Sequence, residues 1–493
     1  MGSRKKYTVL VLTIIYFYME KVKDSNSRRN FIKNSLTGTA GIVALSGFPS
    51  IVPASVFGKF APSNRVNVGV IGCGRIGTSW DMPGVLKEEK AQMMAVCDLD
   101  MLRLKKAKQQ VDTYYTKKLG KSYDAAKMYD NYHDLLANKD VDAVIISTPD
   151  HWHVVPAIHA VRAGKDVYME KPASLTISEG RVLSNEVHKS GRIFQIGSQQ
   201  RCMPQFKKAC ELVRNGRIGK LHTIYVGLPV DKSSESTVEQ EMPVPSNLNY
   251  EMWLGSTPVA TYTEKRVHPQ NDYSRPGWLR CEQYGAGMIT GWGAHHFDIV
   301  NWGMGTEYTG PLEISGTAEW PAKEALWDVH GSFKTEMLYE NGVKVLASDS
   351  YTNGVKFVGS EGWIFVARGD YAATASDPVS RDKSSKALDA SDPRILASQI
   401  GVDGIRLYDS KDHHANWIES VISRQPNIAP IEVGHRACTV CLLNHTAMKL
   451  KRKLYWDPIK ERYKNDDEAN ATLSRTKRWP YQEDFQHDVK TVI

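Results

Sequence analysis

The chain is poor in cysteine, with seven in 493 residues. Cys73, Cys97, Cys202, Cys210 and Cys281 are scattered, and their spacing builds no disulfide framework, as fits folding in a reducing cytoplasm. Cys438 and Cys441 form a C-x-x-C, but inside a helical pattern and with no second pair, so neither zinc nor redox use is expected and no metal site is assigned. Long apolar runs are missing as well: residues 7–19 are apolar for only 13 positions, too few to cross a bilayer as a helix. No stable membrane span is therefore expected. There is no internal repeat and no low-complexity tract. Nor is there a basic surface of the kind that grips nucleic acid. The formal charge of +8 comes mostly from residues 1–54, which hold eight Lys/Arg against two Asp/Glu and leave about +2 for the rest. The remaining cluster, Lys449, Lys451, Arg452 and Lys453, surrounds a helix end and reads as a solvated face.

What is present is most concentrated at residues 65–98. An apolar run with Val66, Val68 and Val70 meets Gly72-Cys-Gly74-Arg75-Ile76-Gly77, a complete G-x-G-x-x-G. After a helix-length stretch, a second apolar run ends on Asp98, 24 residues past the middle glycine. Gly72 permits the tight turn, and Gly74 lets backbone N–H groups approach a pyrophosphate. Gly77 lets the following helix pack on the strand with its positive end toward the phosphates. An acid closing the second strand holds both ribose hydroxyls and repels a 2′-phosphate, so NAD is expected in preference to NADP.

The N-terminal region reads as an export leader spanning residues 1–60. Ser27-Arg28-Arg29-Asn30-Phe31-Ile32-Lys33 stands before a mildly apolar stretch rich in Gly, Ala, Ser and Thr, and small residues follow at Pro53-Ala54-Ser55. That is the layout of a twin-arginine signal, which predicts a periplasmic or otherwise exported protein. Met19-Glu-Lys-Val-Lys makes a natural start to such a leader, so translation is expected to begin at Met19. No free NAD pool exists outside the cytoplasmic membrane. A nicotinamide enzyme sent there must hold its cofactor tightly and regenerate it in place.

About 440 residues remain, enough for two packed domains. From 65 to 196, strands and helices alternate as a parallel sheet requires. Helices are expected at 102–111, 154–163 and 178–190, and strands at 141–147, 166–170 and 193–196. Residues 114–130 read as a polar, mostly helical insertion. Beyond Gly197, after a helix at 205–215, the apolar period becomes two. Runs at 219–227, 312–319, 331–338, 343–349, 355–359 and 363–366 predict a large, mostly antiparallel sheet. Late helices are expected at 414–424 and 435–450.

Four motifs then fall in order: Gly72-x-Gly74-x-x-Gly77, Ser147-Thr148-Pro149-Asp150-His151-Trp152-His153, Glu170-Lys171-Pro172, and Gly285-Ala-Gly-x-x-x-Gly-Trp-Gly-Ala-His295-His296-Phe-Asp298. With them the chain, from about residue 65 to residue 480, resembles the Gfo/Idh/MocA family, the glucose–fructose oxidoreductase and inositol dehydrogenase group. Its ending, with Trp417-Ile-Glu-Ser, Val433-Gly-His-Arg436 and Trp456-Asp457-Pro, is similar to exported members from sugar-degrading bacteria. The resemblance implies an α/β protein with a Rossmann NAD-binding domain at 64–197. An α+β substrate domain at 198–460 would carry an open-faced sheet and send late helices back to the first domain, with a tail at 461–493. Pairing of copies through the open sheet is implied by the same resemblance.

The resemblance also implies roles. Lys171 would bond the substrate hydroxyl being oxidised, aimed by a cis Pro172, and His295 would be the general base. Thr148, Pro149, Trp152, His153, Glu170 and Gln199 would join Gly72, Gly74, Arg75, Ile76, Gly77 and Asp98 around the cofactor. Arg201, Arg280, Tyr284, Trp292 and His296 are candidate substrate contacts, and Asp298 could orient His295. One position departs from the pattern. Many relatives carry aspartate four residues before the histidine, where this chain has Gly291. Lys171 and His295 must then carry the proton relay, or another acid must reach in. The implied activity is NAD-dependent oxidation of a secondary hydroxyl of a sugar or glycoside, with C3 an attractive position. Two alternatives are a redox-neutral NAD-dependent glycosidase of the same family and an inactive carbohydrate-binding protein.

Overall fold

The computed structural model describes residues 65–232, 237–369 and 386–481. The expected leader lies outside them. The first half builds a six-stranded sheet in the order β3-β2-β1-β4-β5-β6, from β1 Val66–Ile71, β2 Ala91–Cys97, β3 Lys127–Tyr129, β4 Ala143–Ile146, β5 Asp166–Met169 and β6 Phe194–Ile196. Each pairing is parallel. β4 and β5 are buried along their whole length, which is why they read as unbroken apolar runs rather than alternating ones. The order reverses between β1 and β4, so their carboxyl ends diverge and open a crevice, the usual place for a ligand in such sheets.

The connecting helices are α1 Met82–Leu86, α2 Met101–Leu119, α3 Tyr132–Ala137, α4 Val154–Arg162 and α5 Ile177–Ser190. The Asp100 carboxylate caps α2 by accepting from the Leu102 and Arg103 amides, and Thr176 caps α5 through the Glu179 amide. The sequence divided the region of α2 into a helix and a polar insertion. It is one helix, because the buried stripe Leu104, Ala107, Val111 and Tyr115 runs through both parts. The rest of the supposed insertion ends in β3, an edge strand with little burial and hence no apolar signature.

The second half begins with α6 Pro204–Arg214 and carries α7 Tyr250–Leu254, α8 Met288–Gly291, α9 Gly293–Met304, α10 Pro393–Ala397, α11 His413–Ser423, α12 Ile431–Leu450 and α13 Asp467–Ala471. Its strands are β7 Leu221–Gly227, β8 Glu313–Ala318, β9 Phe333–Leu338, β10 Lys344–Ser348, β11 Gly354–Gly359, β12 Gly362–Val366, β13 Leu388–Ala390, β14 Leu454–Asp457 and β15 Arg462–Tyr463. They form one nine-stranded sheet, ordered β13-β12-β11-β7-β10-β9-β8-β14-β15. It is antiparallel except between β7 and β10. Along β9, Phe333, Thr335 and Met337 are buried while Lys334 and Glu336 are exposed. One face is therefore covered, by α12 and α9, and the other faces solvent.

Two late elements join the halves. α12 is buried along nearly its whole length and packs on α5, α9 and β8. α11 places Trp417, Ile418 and Val421 in the core of the first sheet. The segment expected to be a tail is instead built into the fold up to Tyr481. β15 pairs with β14, the Ser178 amide donates to Leu473 O at 3.0 Å, and the Arg478 amide donates to Ser256 O at 2.9 Å.

Candidate active site

The loops after β1, β4 and β5 meet the second half of the chain around a cleft of about 640 Å³. At its floor is the glycine turn. Gly72 has φ of +96°, and a Cβ there would stand 2.7 Å from the Ser147 carbonyl. A Cβ on Gly77 would lie 2.4 Å from Gly72 O, so this glycine closes the turn and does not line the cleft. Gly74 is different: a Cβ there would meet only Arg103 Nη1, at 3.8 Å. The backbone at Gly74 is bare toward the cleft, as an approaching phosphate requires.

Asp98 follows β2 and lines the same cavity. Its Oδ2 accepts from the Cys73 amide at 2.7 Å and its Oδ1 from the Asp100 amide at 2.8 Å. The carboxylate thus ties the glycine turn to the start of α2 while keeping lone pairs for a ligand. Burial raises its pKa against those amide bonds. Arg103, nearby, donates to the carbonyls of Pro269 and Asp272.

The loop after β4 contributes Thr148, Pro149, Asp150, Trp152 and His153 to the cleft wall. The His153 ring lies between the Pro172 carbonyl at 2.6 Å and the Thr148 carbonyl at 2.9 Å, and so holds this loop against the one after β5. Trp152 is fixed by donating Nε1 to Trp253 O at 2.9 Å. With Trp253, Trp278 and Trp292 it gives the cavity aromatic walls.

Glu170 and Lys171 follow β5, and the Lys171–Pro172 bond is cis. Glu170 Oε1 accepts from Gln199 Nε2 at 2.6 Å, and its Oε2 accepts from the Lys171 amide at 3.3 Å. Burial, reinforced by the nearby Asp81 carboxylate, pushes Glu170 up to about 8. Lys171 and His295 both line the cavity. His295 begins α9 and is buried, and its Nδ1 is enclosed without a hydrogen-bond partner. Nε2 is then the nitrogen on the cleft side. Burial, with Arg368 and Lys171 adding positive charge, holds the ring well below the usual histidine range and hence neutral.

Of the five candidate substrate contacts, only Trp292 lines the cavity. Arg201 is enclosed and pairs with Asp298 at 2.7 Å and Glu307 at 2.9 Å. This also removes Asp298 as an orienter of His295. Arg280 donates to Asp231 Oδ1 at 3.0 Å and lies over the Trp327 ring. Tyr284 is fully buried between Trp253 and His151. His296 turns away from His295, with Nε2 2.7 Å from Asn353 Oδ1. Each of the four is held by the core or by a counter-charge that the sequence does not place beside it. Conversely, Trp253, His268, Arg368 and His413 line the cavity without any local motif to mark them. At Gly291 a Cβ would meet only the Met288 side chain, with Cε at 3.1 Å and Sδ at 3.8 Å.

Residues 66–198 match the NAD-binding Rossmann-fold domain of the oxidoreductase family. Residues 232–374 and 400–483 match that family's C-terminal alpha/beta domain. A myo-inositol 2-dehydrogenase from Thermotoga maritima is 32% identical over 161 residues, 33% of this chain and 44% of that protein. A glycosyl hydrolase family 109 protein from Shewanella baltica is 36% identical over 163 residues, 31% of this chain and 35% of that protein. These matches thus span less than half of either relative. Among solved structures, an aldose-aldose oxidoreductase from Caulobacter crescentus complexed with glycerol superposes with a TM-score of 0.55. That match is at 17% identity, over 79% of this chain and 99% of that one.

Proposed function

We propose that this chain, which belongs to the Gfo/Idh/MocA family of NAD-binding oxidoreductases, oxidises a secondary hydroxyl of a sugar or glycoside with NAD that it retains. The observation that carries the reading is the convergence of Lys171 and His295 on one cavity whose floor is the bare Gly74 backbone and the Asp98 carboxylate. Those residues suit the dinucleotide. Gly74 leaves room for a pyrophosphate, Asp98 has the acceptors for two ribose hydroxyls, and a 2′-phosphate beside that carboxylate would be repelled.

When bound, the nicotinamide would accept the hydride from the carbinol carbon. The Lys171 ammonium would hydrogen-bond the hydroxyl oxygen and stabilise its developing negative charge. His295, neutral, would take the hydroxyl proton at Nε2. The aromatic walls suit the C–H faces of a sugar ring. Oxidation at C3 is the favoured form of this reading, because a ketone there acidifies the C2–H and prepares a glycoside for elimination. Export by the twin-arginine route belongs to the same proposal, as does pairing of copies through the open sheet.

The test is to purify the protein, dialyse it, and measure nicotinamide released on denaturation, then add glucosides, galactosides, inositols and free sugars while following reduced-nicotinamide absorbance. Retained NAD that becomes reduced supports the dehydrogenase. Free aglycone without net reduction would favour a redox-neutral glycosidase, the activity class suggested by the family 109 relative. Sugar binding with no reduction would favour a retired binding protein.

A further inference from the structure

A second acid, Asp100, follows Asp98 after β2 and is 1% exposed. Besides capping α2, it is bonded by side chains from the second half of the chain. Asn247 Nδ2 donates to its Oδ1 at 2.7 Å. His268 Nε2 stands 3.0 Å from its Oδ2, and Gln270 Nε2 donates to the same oxygen at 3.3 Å. Burial acts to raise this carboxyl, but the bonds from His268 and Asn247 bring it down to about 2. These are therefore bonds to a charge, the stronger kind. The backbone repeats the attachment: the Met101 amide donates to Asn247 O at 2.8 Å, and the Asn249 amide to Leu99 O at 3.0 Å.

Arg103, on the first turn of α2, makes a second attachment. Its Nη2 donates to Pro269 O at 2.9 Å and to Asp272 O at 3.2 Å, and its guanidinium lies 4.7 Å from the centre of the Tyr273 ring. Its Nη1 is the atom that would stand 3.8 Å from a Cβ on Gly74, so the attachment reaches the phosphate turn. Residues 255–276 carry no helix or strand; loops this long in a compact fold are uncommon and usually functional. This one is fastened beside Asp98, and Leu99, Arg103, His268 and Ser274 share the cavity wall with that acid. All of these bonds join groups of the protein itself, so the loop is held shut without help from a ligand.

We infer that residues 247–249 and 268–274 form a clasp over the adenosine side of the dinucleotide site, fastened to α2 through Asp100 and Arg103, and that NAD enters and leaves only when the clasp opens. The inference rests on the NAD-retaining reading above and gives that retention a cause. A gate that is shut in both the free and the loaded protein slows entry and exit by the same factor, because both pass through one scarce open state. The cofactor is then kept by slow exchange as well as by affinity.

Asn247 and Gln270 stand outside the described walls of the cavity, so Asn247→Ala and Gln270→Ala loosen the clasp without removing a contact to the cofactor. Exit is read as replacement of bound NAD by deuterated NAD in the holoprotein, followed by mass spectrometry of the nucleotide released on denaturation. Entry is read as quenching of tryptophan fluorescence when NAD is mixed with nucleotide-stripped protein. Each variant should speed exit and entry together by roughly tenfold, the size of one lost hydrogen bond to a charged group, with Kd held within about threefold. If Asn247→Ala does not fold, Gln270→Ala decides. Exit that quickens while entry does not, or two unchanged rates, overturns the clasp. Variants that pass this test in a protein that oxidises no sugar would uphold the clasp and sink the proposed activity. Exchange at one rate in every variant of a protein that does oxidise sugar would do the reverse.

Discussion

Arg201 and Asp298 form a two-point ion pair, Nε to Oδ2 at 2.7 Å and Nη2 to Oδ1 at 2.8 Å, with both side chains almost wholly enclosed. The pair joins the turn after β6 to the middle of α9, the helix that carries His295. Arg201→Met would leave Asp298 buried without its cation, a loss of about 3–5 kcal/mol. The expected outcome is a large drop in denaturant midpoint. A variant that melts like wild type but has a raised KM for sugar would return Arg201 to the substrate site.

The glycine turn separates binding from folding. Gly77→Ala would force a methyl to 2.4 Å from Gly72 O, whereas at Gly74 the nearest atom is 3.8 Å away. Gly74→Ala should therefore keep the wild-type melting temperature and lose retained nicotinamide, because its methyl fills the space for the phosphates. Gly77→Ala should lose stability. Equal melting temperatures for both variants would contradict this division.

These contrasts show which parts of the protein were legible in its sequence. The glycine turn, Asp98 and the Glu170–Lys171 tip are local. Their function follows from a strand end and the few residues after it, and those stay adjacent whatever the rest of the chain does. Lys171 and His295 were found together only through a resemblance. Arg201, Arg280, Tyr284 and His296 were misread because proximity along the chain does not say which way a side chain faces. Asp298 lies 97 positions from Arg201, and no pattern marks the two as partners. β3 was missed because an edge strand can be polar, and Trp253, Arg368 and His413 because only the tertiary fold brings them to the cleft.

Asp98 supports two amides as well as the proposed ribose contact. Asp98→Ala should weaken NAD binding by roughly 10–100-fold, the loss expected for a hydrogen bond to a charged group. Discrimination against NADP should shrink at the same time, since the repelling charge is gone. Calorimetric titration of the apo-protein with each dinucleotide measures both effects. An unaltered NAD-to-NADP ratio would remove Asp98 from the ribose site.

His295→Gln keeps a polar group of similar size but cannot take a proton. Under the proposed mechanism kcat should fall by about 10²–10⁴ with nicotinamide still retained. A variant within threefold of wild type would require another base.

Glu170 makes stability depend on pH in a direction opposite to that of most carboxylates. Burial and Asp81 raise it from near 4.5 to about 8, so the folded chain keeps a proton that the unfolded chain has already released. That contribution is fully present below about pH 4.5 and is lost as pH rises toward 8. Glu432, Glu461 and Glu282 act in the other sense, because their basic partners lower them, and their contribution is lost as the solution is acidified. The whole protein therefore mixes both trends, and only a comparison isolates Glu170. Glu170→Gln is neutral at every pH and can still accept from Gln199. Relative to wild type, this variant should gain stability steadily between about pH 5 and pH 8 in urea unfolding. A difference that stays constant across that window would mean the Glu170 carboxyl is already ionised in the folded state.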